Sequence, residues 1–119
     1  MPPPTSKSDL SVKLGPDQRA DFAQLPNELL RREALRYLTR LKQHPYHGTQ
    51  LRNHPTMGDL SDCWKIYFDE RPDVPPRWRI VYRLRPNNDH PTSVEIICIG
   101  RRAYAAAYLI AAKRLGRSA

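Results

Sequence analysis

The segment Val94-Glu95-Ile96-Ile97-Cys98-Ile99-Gly100 constrains the fold of this chain more than any other. Apolar residues fill both alternating sets of positions in a β-prone run, so neither face of the strand suits water. Such a strand belongs in the middle of a sheet. Two further runs supply its neighbours. Asp62-Cys63-Trp64-Lys65-Ile66-Tyr67-Phe68 puts Trp64, Ile66 and Phe68 on one face, with Cys63, Lys65 and Tyr67 on the other. Arg77 to Leu84 does the same, with Trp78, Ile80, Tyr82 and Leu84 set against Arg77, Arg79, Val81 and Arg83. Period-2 placement assigns Trp64 and Tyr82 to the core, and leaves Arg83 and Arg85 at an exposed edge or turn.

Upstream, Leu10 to Leu14 alternates as a short strand that Gly15-Pro16 stops. Asp17 is the expected N-cap of a short helix through Leu25, with Phe22 and Leu25 facing inward, and Asn27 caps the next helix. There Leu30, Ala34, Tyr37, Leu38 and Leu41 form one apolar stripe, while Arg31, Arg32, Arg36, Arg40 and Lys42 fill much of the remainder. Pro45 and Gly48 end it, and His47 to Asp59 reads as a loop. After Gly100, Ala103 to Leu115 is Ala-rich and helix-prone, with Tyr104 and Tyr108 one turn apart on a shared face. The predicted order is β-α-α-β-β-β-α: an α+β fold of one twisted sheet with helices packed on one face. Residues 9–117 form one domain behind a Pro/Ser-rich tail, residues 1–8.

Charge narrows the partners. Lys and Arg number 20 against 12 acids, a formal net charge of +8, which favours a polyanion through counterion release. Cationic side chains on strands, beside tyrosines, suit gripping a nucleic-acid backbone and base together, and point to RNA. No window approaches the ~18 apolar residues of a membrane span, and Met1-Pro2-Pro3-Pro4-Thr5-Ser6 lacks the apolar core of a signal peptide. Cys63 and Cys98 lie within strands rather than at metal or disulfide spacing, and read as buried thiols of a cytoplasmic protein. His44, His47 and His54 sit in a Pro/Gly loop without Cys or carboxylate partners, so neither a metal nor another cofactor is expected.

The element order, with Leu51-Arg52, Asp62-Cys63-Trp64-Lys65-Ile66, Trp78-Arg79-Ile80-Val81-Tyr82, Gly100-Arg101-Arg102 and the ending Ala107 to Leu115, resembles the RelE branch of the RelE/ParE toxin superfamily. The resemblance runs from about Leu10 and strengthens from Leu51. It implies a RelE-like toxin that enters the 30S A site of the ribosome and cuts the mRNA there without a metal ion. The ribose 2′-hydroxyl attacks the adjacent phosphate, leaving a 2′,3′-cyclic phosphate and a 5′-hydroxyl. A cognate antitoxin protein is the implied partner. By the same resemblance, Lys65, Arg79, Arg102 and Tyr108 match the family's catalytic positions. Arg79 and Arg102 stabilise the charge of the phosphorane-like transition state. Lys65 holds the phosphate or assists proton transfer, and Tyr108 stacks under the base or polarises the 2′-hydroxyl. Arg31, Arg32, Arg36, Arg40, Tyr67, Arg77, Arg101 and Tyr104 are the expected RNA and ribosome contacts. The family has a second lysine where this chain has Tyr67. The superfamily's ParE branch, which inhibits DNA gyrase without cleaving RNA, is the alternative, as is a degenerate toxin that only binds an antitoxin.

Overall fold

The computed structural model describes residues 9–54 and 58–117; the 1–8 tail lies outside them. The apolar run becomes β7, Ser93–Arg101, flanked in the sheet by β1, Ser11–Lys13, and β6, Trp78–Arg85. β1 pairs with it in parallel and β6 antiparallel. The sheet continues through β5, Cys63–Phe68, to the two-residue β2, Thr49–Gln50, giving the order β1-β7-β6-β5-β2. The segment read as a loop thus lends β2 to the sheet edge. It also folds β3, Asn53–His54, against β4, Gly58–Asp59, as a separate hairpin.

Two helices precede the loop. α1 spans Pro16–Ala23 and α2 spans Glu28–Leu41. Asn27 caps α2 as expected, its side chain accepting from the Leu30 N–H at 2.8 Å. α1 starts one residue before the expected cap, because Pro16 fits the first helical position, where no N–H is needed, and Gly15 takes the N-cap. Leu30, Ala34, Leu38 and Leu41 are buried, and pack with Ile66, Phe68, Trp78, Ile80, Tyr82 and Leu84. The alternation read for β5 and β6 holds.

The expectation of helices on one face fails. α3, Ala106–Arg114, packs on the opposite side, where Ala107, Tyr108, Ala111 and Ala112 join Cys63, Val81, Ile97 and Cys98 in a second buried cluster. A β-bulge makes this possible. Between Val81 opposite Cys98 and Tyr82 opposite Ile96, Ile97 is an extra residue on β7. It resets the alternation, so that Ile97 and Cys98 both turn to the α3 side. That surface needs a cover, and the small residues of α3 supply it.

α3 also begins later than its propensity suggests. Ala103–Ala105 form a 3₁₀ turn in which Tyr104 and Ala105 have φ of 57° and 56°, a left-handed conformation that breaks a helix. Tyr104 therefore does not share a helical face with Tyr108: it is 97% exposed and Tyr108 only 9%. Among the described residues no helix is long and apolar enough to cross a membrane.

One polar knot ties both layers together. The Asp21 carboxylate accepts from Arg114 at 2.6 and 2.9 Å and from the Ile99 N–H at 3.0 Å, and Arg114 also donates to the Ile97 carbonyl at 2.9 Å. Asp21→Ala leaves a largely buried guanidinium without its counter-ion and a strand N–H without its acceptor. A loss of about 2–4 kcal/mol in urea unfolding is expected. Arg114→Ala added to it costs less than the sum of the two single losses, because both remove the same interaction.

Candidate active site

The antiparallel pairing of β5 with β6 sets Tyr67 directly opposite Arg79. Both side chains leave the sheet on the α3 side, together with Lys65, two residues before Tyr67. β7 ends beside them and delivers Arg102. α3 then lays Tyr108 over Arg79. At Gly100 a Cβ would stand 3.3 Å from the Cys98 Sγ and touch the Ala107 Cβ at 3.5 Å, so the strand meets α3 closely there. Small residues on both surfaces let the helix lie close to the strand.

Tyr67 is the centre of the cluster. Its hydroxyl accepts from Lys65 Nζ at 2.6 Å and from Arg79 Nη2 at 3.4 Å. The Arg102 guanidinium lies 4.3 Å from the centre of its ring and that of Arg79 5.0 Å. On its other side the Arg79 guanidinium stacks on Tyr108, 3.6 Å from that ring's centre. Arg79 is therefore no solvated charge. It is 5% exposed, and its Nε and Nη1 have neither solvent nor a hydrogen-bond acceptor. Among the described residues, the ion pairs involve Arg31, Arg32, Arg36, Arg71, Arg77, Arg83, Arg114 and Arg117, and never Lys65, Arg79 or Arg102. Three cations meet one phenol without a carboxylate.

The electrostatic consequence falls on the two tyrosines. Partial burial opposes ionisation of Tyr67, but hydrogen bonds from Lys65 and Tyr108 and the charges of Arg79 and Lys65 outweigh it, bringing the phenol down to about 8. Tyr108 moves the other way. Burial raises it, and the neighbouring Tyr67 adds to the rise, against the opposing charges of Arg79 and Arg102.

The structure thus brings together Lys65, Arg79, Arg102 and Tyr108, all four expected catalytic residues, and puts Tyr67 among them. The remaining expected contacts lie elsewhere. Arg77 is clamped by Asp69, at 2.7 and 2.9 Å, and approached by Glu70. Those bonds hold the Asp69 carboxyl far below the usual carboxylate range. Arg101 stacks on Trp78, 4.8 Å from its ring centre, on the sheet face that α2 covers. Arg31, Arg32 and Arg36 are on α2, on the far side of the sheet from Tyr67, and pair with Glu28 or Glu33 of the same helix. Arg40 is exposed on that helix, and Tyr104 projects from the 3₁₀ turn. Beside the cluster opens a cleft of about 580 Å³, lined by Val74, Pro75, Pro76, Arg77, Arg101 and Arg102.

No protein-family model matches the chain, and no curated protein matches it in sequence. Solved structures do match. A mutant of the E. coli toxin RelE in its free state superposes with a TM-score of 0.64 at 21% identity, over 90% of this chain and 98% of that one. The toxin–antitoxin complex RelBE2 of Mycobacterium tuberculosis gives 0.53 at 21% identity, over 79% of this chain and 99% of the matched chain. The chain has the RelE-like fold.

The cluster makes a spectroscopic prediction. In an ultraviolet titration of the folded protein, one phenolate forms near pH 8, about two units below the ordinary phenol value of 10.0. Tyr67→Phe removes that step. Lys65→Ala or Arg79→Ala moves it to higher pH, since each withdraws a positive charge that favours the phenolate.

Proposed function

We propose that this chain is the toxin of a toxin–antitoxin module, a ribosome-dependent endoribonuclease that cleaves mRNA in the 30S A site without a metal ion and so halts translation. The observation that carries this reading is the convergence of Lys65, Arg79 and Arg102 on Tyr67 with no carboxylate among them. A surplus of fixed positive charge in a half-buried site suits the dianionic transition state of phosphoryl transfer, where donors aimed at developing charge act most strongly. When the ribose 2′-hydroxyl attacks the adjacent phosphate, negative charge grows on the non-bridging oxygens. Arg102, with one edge already held by the Pro76 carbonyl at 3.3 Å, presents its remaining N–H groups to them. Arg79 sets the field from below. The cleft beside Arg102 accommodates a flanking nucleotide, and the α2 cations approach ribosomal RNA from the other side. The RelBE2 neighbour is a toxin–antitoxin complex, and an antitoxin segment docks here on the exposed Leu109 and Ile110 of α3.

Primer extension on a reporter mRNA after induction tests the reading. Cuts inside translated codons are expected. Relaxed plasmid DNA with intact mRNA would point instead to gyrase inhibition. Arg102→Ala lowers single-turnover cleavage about a hundredfold or more, the loss of roughly 3 kcal/mol of transition-state stabilisation, with the melting temperature little changed because the side chain is only half-buried. Arg79→Lys recovers part of what Arg79→Ala loses, since an ammonium cannot stack and bond as a planar guanidinium does.

A further inference from the structure

Phosphodiester cleavage by a 2′-hydroxyl needs a group to take one proton and a group to give one, and the cations around Tyr67 cannot take any. Among the described residues, the charged and titratable groups that face Tyr67 come from four elements. They are Lys65 from β5, Arg79 from β6, Arg102 from the end of β7 and Tyr108 from α3. Neither a carboxylate nor a histidine is among them. Tyr108 is poorly suited to accept a proton: it is 91% buried, its ring face is occupied by Arg79, and its ionisation is opposed by burial. Tyr67 is only partly buried, and its oxygen is the shared acceptor of two cationic donors.

We infer that Tyr67 is the general base of the cleavage reaction, its phenolate oxygen taking the proton of the ribose 2′-hydroxyl while the Lys65 ammonium gives one to the departing 5′-oxygen. The inference rests on the ribonuclease reading above and deepens it. The step balances. The 2′-oxygen lone pair forms the new bond to phosphorus, and the bond from phosphorus to the 5′-oxygen breaks with its electrons going to that oxygen. Lys65 protonates the 5′-oxygen, leaving a 2′,3′-cyclic phosphate and a 5′-hydroxyl. Tyr67 is then a phenol and Lys65 an amine. One proton passed back along their 2.6 Å hydrogen bond restores phenolate and ammonium. Ionisation of Tyr67 also gives buried Arg79 the counter-anion it otherwise lacks, so the reactive form is the electrostatically complete one. With the phenol brought down to about 8, an appreciable fraction is ionised near neutrality, as efficient general-base catalysis requires.

Single-turnover cleavage of mRNA on purified programmed ribosomes, followed from about pH 6 to 9, tests this. The wild-type rate climbs about tenfold per pH unit and levels near pH 8. Tyr67→Phe cleaves about a hundredfold slower or worse, while retaining ribosome binding and a cooperative melt. Fluorotyrosine at position 67, whose phenol is more acidic, moves the levelling point to lower pH by the shift seen when the free protein is titrated. A levelling point that stays put, or Tyr67→Phe cleavage near the wild-type rate, overturns the assignment. If the wild-type chain leaves ribosome-bound mRNA intact at every pH, the ribonuclease reading itself has failed, and the base falls with it.

Discussion

A cation buried without a carboxylate is the feature around which this molecule is organised. Placing Arg79 at 5% exposure costs several kcal/mol in desolvation unless its charge is answered. The fold answers with aromatic faces, Tyr108 at 3.6 Å and Tyr67 at 5.0 Å, where desolvated contacts contribute about 2 kcal/mol or more each. The same stacking fastens α3 to the sheet and fixes where Tyr108 stands. Site and scaffold are one set of contacts, so Arg79 serves stability and charge placement together. Its two unsatisfied nitrogens, Nε and Nη1, mark what the resting protein leaves incomplete.

That arrangement explains which parts of the sequence were readable. Period-2 alternation in β5 and β6 survived because one face meets a wide apolar cover from α2. Asn27 was legible as a cap because its chemistry is local. The second helical face was signalled only by the apolar residues on both sides of β7, and which of them turn to α3 depends on a one-residue bulge at Ile97. The left-handed Tyr104 and Ala105 defeated an Ala-rich propensity. The chain must turn there to bring α3 back over β7, so tertiary geometry overrode local preference.

For the site, alternation puts Lys65, Tyr67 and Arg79 on one side of the sheet, but not which of them meet. That needed the β5–β6 register, set by the turn from Asp69 to Pro76, whose carboxylates hold Arg77. Arg77 thereby became a structural ion pair rather than a free cation. Glu28 and Glu33 stand one turn from Arg31, Arg32 and Arg36 and pair with them, so these expected contacts are partly compensated surface charges. Tyr67, read from the sequence as an RNA contact and not as a catalytic residue, is the point on which the others converge.

The phenol of Tyr67 gives the site an acceptor that ionises within reach of neutrality, supported by the cations around it. The central claim is that this surplus of positive charge exists to cleave RNA through the 2′-hydroxyl. End-group analysis of mRNA cut on the ribosome by the purified protein is the most direct measurement. The account predicts a 2′,3′-cyclic phosphate at the 3′ end of the upstream fragment and a 5′-hydroxyl on the downstream fragment. A 5′-phosphate with a 3′-hydroxyl, or intact mRNA, would contradict it.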